Sequence, residues 1–294
     1  MKITKAVIAV AGYGTRFLPA TKNQPKEMLP IIDKPIVQYL VEEAVASGVK
    51  EIILVTRFGQ SALENHFDSN FELEMQLEKS GKAAALEEVQ RVYRMANFIY
   101  IRQGRHLPYG NATPLLCVKN IIEKNEPFVY MFGDDLVLSK TPCTKQLINV
   151  FHKTNPSAML AVQETPVEEI SRYATVKYKK GTKINQISEI LEKLPPEKAP
   201  SNMAQFGRFI FTYDVIQKAV DHYKEGKLGK DNELWVADLL NDLAKTKKVI
   251  AQPIEGKWMT TGDPLRFMKA AVEFALARDD IGPEFKEYLK DLCI

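Results

Sequence analysis

An unbroken apolar stretch, Ala6-Val7-Ile8-Ala9-Val10, runs straight into a turn built on Gly12 and Gly14. No other feature of the chain limits its fold as strongly. A β-branched run of this kind reads as a strand buried on both faces, and such strands belong to parallel sheets covered by helices. Glycines at 12 and 14 let backbone N–H groups approach an anion with no Cβ in the way. Arg16, Lys22 and Lys26 place three cations behind the turn, while Pro19, Pro25 and Pro30 fix φ along it. Residues 11–34 are therefore expected to form a stiff, extended loop suited to a polyphosphate, losing little entropy when it closes on one. A plain glycine turn would leave the cations and prolines unexplained. The loop is neither G-x-x-x-x-G-K-[ST] nor a clean G-x-G-x-x-G, because Leu18-Pro19 stand where the last glycine would fall.

Short apolar runs alternate with helix-period segments through the rest of the chain. Strands are expected near 6–10, 51–56, 97–102, 127–132, 157–163, 173–179, 184–191, 206–211 and 249–254. Helices are expected over 35–48, as a hairpin over 60–95, from Gly110-Asn111 to about 123, near 213–224 and 232–246, from Pro264 onward and over 283–292. The alternation predicts an α/β fold, a Rossmann-like mixed, mainly parallel sheet with helices on both faces. At 294 residues the chain can bury a large core, and it carries no repeat or low-complexity tract. Residues 1–294 are read as a single domain, with a nucleotide-binding half over about 1–140 and a second half over about 141–294 that completes the site.

A net charge of +3, with acids and bases interleaved, lacks the basic stripe that nucleic acid requires. Cys117, Cys143 and Cys293 form no metal or redox motif, which suits a reducing compartment. The apolar run after Lys2 falls short of the ~7–15 residues of a secretory core, and nothing approaches the ~18 of a membrane span. The expectation is a cytoplasmic protein with no nucleic-acid or membrane partner. His66, His106, His152 and His222 show no ligand spacing, and there is no G-x-S-x-G.

Acids and cations must then supply the chemistry. Asp134 and Asp135 follow an apolar strand and Gly133, and open α/β sheets bind ligands beyond the carboxyl ends of their strands. Neighbouring side chains at a strand end diverge, so one of the two suffices for Mg²⁺, which takes one or two carboxylates beside phosphate and water. The same pair is also a common turn. Thr261-Gly262-Asp263-Pro264 reads first as a helix N-cap with proline at N1. Glu192-Lys193 ends another strand, either as a solvated pair or with the acid on hydroxyls and the base on phosphate. Gln103-Gly104 and Gly110-Asn111 flank a loop able to reach a base edge.

Taken in order, these segments match a familiar pattern: A-G-Y-G-T-R-F-L-P-A-T-K at 11–22, P-K-E-M-L-P-I-I-D-K-P at 25–35, Gln38-Tyr39 and Glu42-Glu43. It continues through Glu64-Asn65-His66-Phe67-Asp68, Arg102-Gln103-Gly104, Asp134-Asp135-Leu136, Glu192-Lys193, Ala199-Pro200-Ser201-Asn202 and Gly207-Arg208. The chain resembles the bacterial sugar-1-phosphate nucleotidyltransferases, most closely their UTP–glucose-1-phosphate uridylyltransferase branch. The P-K-E-M-L-P and A-P-S-N forms separate that branch from the thymidylyl one.

The resemblance implies UTP and glucose 1-phosphate as substrates, with UDP-glucose and pyrophosphate as products. It implies that Arg16 and Lys26 hold the UTP phosphates, Lys193 the sugar phosphate, and Asp134 and Asp263 a Mg²⁺ ion. Ala11, Gly12, Gln103 and Gly110 would read uracil and Glu192 the glucose hydroxyls. Gly14, Glu27, Asp135, Ala174 and Gly207 complete the implied substrate-binding set. A homodimer or homotetramer is implied too. Alternatives are a thymidylyltransferase, a uridylyltransferase for another hexose 1-phosphate, or a non-catalytic UDP-sugar-binding paralogue. The chain departs from the family pattern at Pro108-Tyr109-Gly110-Asn111 (G-L-G-H), Ala174 (glycine) and Leu194 (proline). Further departures are Glu233-Leu234-Trp235-Val236-Ala237-Asp238 (E-I-Q-L-T-D) and Met259-Thr260-Thr261 (Tyr-Asp-Cys or Tyr-Asp-Thr). Most of them fall on the sugar side.

Overall fold

The computed structural model describes residues 2–182 and 184–292, so Cys293 lies outside the described residues. Cys117 and Cys143 are free thiols. β1 (Lys5–Ala9) leads into the glycine turn. The loop is less extended than expected. One 3₁₀ turn at Thr15–Phe17 and another at Lys26–Met28 fold it, and β2 (Pro30–Ile31) pairs with β3 (Lys34–Pro35) to deliver the chain to α1 (Ile36–Ala46). β4 (Glu51–Thr56) follows.

The expected hairpin over 60–95 is three helices, α2 (Ser61–His66), α3 (Phe71–Lys79) and α4 (Ala83–Arg94). Asn70 caps α3, its side chain accepting from Leu73 N at 3.1 Å, and this separates it from α2. The chain then forms β5 (Asn97–Arg102), α5 (Thr113–Val118), β6 (Phe128–Phe132), β7 (Asp135–Leu138), α6 (Cys143–Thr154) and β8 (Ala158–Glu164). Next come β9 (Ala174–Tyr178), β10 (Ile187–Glu192), β11 (Met203–Phe211), α7 (Tyr213–Lys224) and α8 (Val236–Ala244). β12 (Val249–Pro253), β13 (Lys257–Thr260), α9 (Pro264–Leu276) and α10 (Gly282–Asp291) complete the course.

Nine strands make one sheet in the order β10-β9-β11-β6-β1-β4-β5, with β8 paired to β11 and β12 to β8. β6, β1, β4 and β5 are parallel, as the buried apolar runs lead one to expect. β11 enters antiparallel to β6, β8 and β9, which makes the sheet mixed. The strand alternation decides which face each residue serves. Ala6 and Ile8 pack with α1 and α6, whereas Val7 packs with α5, α7 and α8, and all three are fully buried. Each large aliphatic side chain buried this way contributes about 1.5–3 kcal/mol.

A second, two-stranded ladder positions the site. β7 and β13 run antiparallel, Asp135 opposite Thr260, although about 120 residues separate them in sequence. Beyond the ladder Thr261 donates to the Asp134 carbonyl from both N (2.6 Å) and Oγ1 (3.0 Å). α9 then packs against the back of the 11–34 loop. Phe267 meets Phe17 edge-on at 5.7 Å, Phe274 meets Tyr39 at 4.9 Å, and Arg278 pairs with Asp33. Among the described residues no helix is long and apolar enough to cross a membrane.

Candidate active site

Gly14 has φ +63°, where glycine is unstrained, and a Cβ there would lie 3.2 Å from both Thr21 and Lys26 side chains. Thr21 Oγ1 closes the turn by donating to the Gly14 carbonyl at 2.8 Å. This geometry sends Arg16 one way and Lys26 the other. Arg16 Nη1 donates to the Gly262 carbonyl at 3.3 Å, and Lys26 Nζ lies 2.6 Å from Asp134 Oδ2. Burial opposes the charged form of Asp134, but Lys26 and then Arg16 hold its carboxyl below the ordinary carboxylate range. Burial likewise opposes charge on Lys26, and Asp134 and Glu27 outweigh it and raise the ammonium. Asp135 goes the other way, pushed up by burial and by the charge of Asp134.

Two cavities meet at Asp134. The smaller, about 280 Å³, is lined by Ala11, Gly12, Lys26, Glu27, Gln103, Gly110 and Asp134 among others. The larger, about 590 Å³, takes in Arg16, Asp134, Asp135, Ala174, Glu192, Lys193 and Asp263. Gly14 and Gly207 line neither and support the walls from behind. Asp263 does what its sequence context suggests and caps α9, accepting from Arg266 N at 3.0 Å, while its second oxygen pairs with Arg266 Nη1 at 2.5 Å. Lys193 adopts φ +47°, a left-handed conformation unusual for a residue with a Cβ. Its N–H donates to the Tyr173 carbonyl at 3.1 Å, which continues the β9–β10 ladder one step past the Glu192–Ala174 pair and fixes that strained residue to its neighbouring strand. Gly110, at φ +130°, could not be anything larger, since a Cβ would stand 2.2 Å from the Leu234 carbonyl oxygen.

Behind the larger cavity lies a buried polar frame. Asp135 accepts from Trp258 Nε1 at 2.7 Å and from Gly207 N at 2.8 Å. A Cβ on Gly207 would come within 2.3 Å of Phe132, so the glycine permits that approach. Arg208, fully buried, donates to both Glu43 oxygens at 2.9 and 2.8 Å and to the Asp135 and Gly207 carbonyls. Thr144 adds N and Oγ1 to Glu43.

A strand-end Asp between two cavities, a glycine turn with cations and a lysine opposite match one family throughout. Residues 5–275 fit the family model of the nucleotidyl transferases. The chain belongs to that family. This nucleotidyltransferase is 40% identical over 295 residues to the UTP–glucose-1-phosphate uridylyltransferase of Staphylococcus epidermidis, covering 100% of this chain and 99% of that protein. Identity to the Bacillus subtilis protein of the same name is 39% over 293 residues, 99% of this chain and 97% of that one. A UTP-bound UGPase from Acinetobacter baumannii superposes with a TM-score of 0.87 at 31% identity, covering 99% of this chain and 100% of that one. The α/β fold with its mixed, mainly parallel sheet is the fold of those structures.

Several residues of the nucleotidyltransferase site receive no role from the sequence reading. Arg172, Tyr173, Trp258 and Arg266 line the larger cavity, as do Asn111 and Trp235, which enter that reading only as part of a loop and as a departure from the family run. Arg266 had a findable signal, since it lies three residues after Asp263 and so on the same helix face. Tyr109, on the wall of the smaller cavity, had only its place in the 108–111 departure from the family pattern. It packs 5.9 Å from the Tyr13 ring, over which Arg57 sits at 4.8 Å.

Proposed function

We propose that this nucleotidyltransferase moves uridylyl from UTP to glucose 1-phosphate, giving UDP-glucose and pyrophosphate. One observation carries the reading: two cavities of different size share Asp134, with Lys26 beside it. The names of the relatives at 40% and 39% identity and the UTP-bound neighbour support the same substrates. Uridine fits the smaller cavity, next to Ala11, Gly12, Gln103 and Gly110, and the hexose the larger, next to Glu192. The α-phosphorus then falls at the shared wall.

An oxygen of the sugar phosphate attacks that phosphorus, and the bond to the bridging oxygen breaks with its electron pair leaving on pyrophosphate. The nucleophile is already an anion, so no general base is required, and no histidine lines either cavity. Catalysis reduces to alignment and charge neutralisation. Arg16 and Lys26 hold the UTP phosphates, and Lys193 brings the sugar phosphate into line.

The donor set suits Mg²⁺. Asp134 and Asp263 line one cavity, while among the described residues no group of three His, Cys, Asp or Glu side chains could cage a metal alone. Two carboxylates fit an ion that completes its shell with phosphate and water. When bound, Mg²⁺ would neutralise charge on the departing pyrophosphate. We further take residues 1–294 to act as one domain, in two or four copies, in the cytoplasm.

Pyrophosphate release with UTP or dTTP and a panel of hexose 1-phosphates tests the reading. Turnover should be fastest with UTP and glucose 1-phosphate. Preference for dTTP or another sugar would replace those substrates. UDP-glucose binding with no release at any Mg²⁺ concentration would favour a non-catalytic paralogue.

A further inference from the structure

The departures from the family pattern are scattered in sequence but gathered in space. Asn111, Ala174, Trp235 and Thr260 all line the larger cavity. Trp235 stands where the family run carries glutamine, and it also lines the smaller cavity, so it sits where the two join. Its one polar atom, Nε1, is buried without a hydrogen-bond partner. The pyrrole edge lies against Gly229, where a Cβ would come within 2.9 Å of Cδ1. What the half-buried indole offers the cavity is therefore carbon surface, where an amide would have offered a donor and an acceptor.

The residues on either side of it are pinned. Leu234 N donates to the Tyr109 carbonyl at 2.8 Å and the Leu234 carbonyl accepts from Ala112 N at 3.0 Å. Val236 N donates to Asn111 Oδ1 at 2.8 Å, and Asn111 is itself a departure from the pattern. The backbone carrying Trp235 is thus fixed to the nucleotide-side loop before any ligand arrives, and a platform fixed in advance costs little entropy to use.

We propose that Trp235 is a stacking platform for the hexose ring and a specificity-determining residue of this enzyme, an inference that rests on the function proposed above. A pyranose presents C–H bonds on its faces and hydroxyls around its rim. An indole face suits the former, leaving Glu192 and Lys193 for the rim and the phosphate.

Trp235→Gln, which restores the family residue, and Trp235→Phe, which keeps an aromatic face, test the idea in the full-length protein. Trp235→Gln should raise KM for glucose 1-phosphate about tenfold and leave KM for UTP within about twofold, while Trp235→Phe stays within about threefold of wild type. Unaltered sugar KM in Trp235→Gln, equal rises for both substrates, or a rise in Trp235→Phe as large as in Trp235→Gln would each overturn the platform while leaving the reaction intact. A wild-type protein with neither turnover nor UDP-glucose binding would overturn the reaction and the platform together.

Discussion

Asp134 is asked to do two things, since it faces both cavities and neutralises the Lys26 ammonium 2.6 Å away. Asp134→Ala should therefore lower pyrophosphate release at least about a thousandfold with the far-UV spectrum unchanged. Near-normal release would sink its assignment to the metal. Lys193→Ala should cut kcat about a hundredfold and leave UTP affinity intact; a loss confined to UTP affinity would show the lysine to be misplaced. Glu27 makes a separate prediction about pH. It is 1% exposed, and Oε2 has no hydrogen-bond partner. Burial, only partly offset by Lys26, raises its carboxyl from 4.5 to about 7. Between those values the folded state keeps a proton that the unfolded chain has released, so stability falls as pH rises through the window and levels off above it. Urea midpoints at pH 5 and pH 8 should differ by less in Glu27→Gln than in wild type; equal declines would refute the assignment. Asp134, Asp263, Glu192 and Lys193 were legible because each follows a glycine or ends an apolar run. Tyr109 and Trp235 were not, because nothing in a lone aromatic says which side of a loop it will face.

Individual elements of the site depend on what lies beneath them. Arg208 on β11 and Glu43 on α1 form a bidentate pair that also holds the Asp135 carbonyl, and so connects helix, sheet and site. Arg208→Met should cost roughly 3–5 kcal/mol, because it would leave the largely buried Glu43 carboxyl without its arginine partner. Combining it with Glu43→Leu should recover much of that loss in urea unfolding. Full additivity of the two single losses would mean that the pair does not act as a unit. The sequence made β1, β4 and β6 readable, since a strand buried on both faces needs a continuous apolar run. It did not reveal β7 or its pairing with β13. Each is four residues long, and each forms only because the other, about 120 residues away, supplies its hydrogen bonds. The helix expected from 110 to about 123 is Thr113–Val118, and it starts late because Tyr109, Asn111 and Ala112 hydrogen-bond the 234–236 segment instead.

For the whole molecule the strand order was beyond reach of local patterns, since it records which distant segments meet. Phe71 is 76% exposed, Leu265 62%, Met268 58% and Tyr288 56%, side chains that the two or four copies proposed above should cover. Light scattering should give two or four times 33.3 kDa. A monomer at micromolar concentration would end that expectation. The packing of α9 and β13 has a further consequence for how the protein is made. Synthesis releases residues 11–34 well before the wall behind them, with Phe267 and Phe274, and before the Thr261 groups that hold the Asp134 carbonyl. Contacts that span so much sequence form late. Until those residues are made the nascent chain therefore carries a nucleotide loop with no back to it, and a bound nucleotide cannot help it fold.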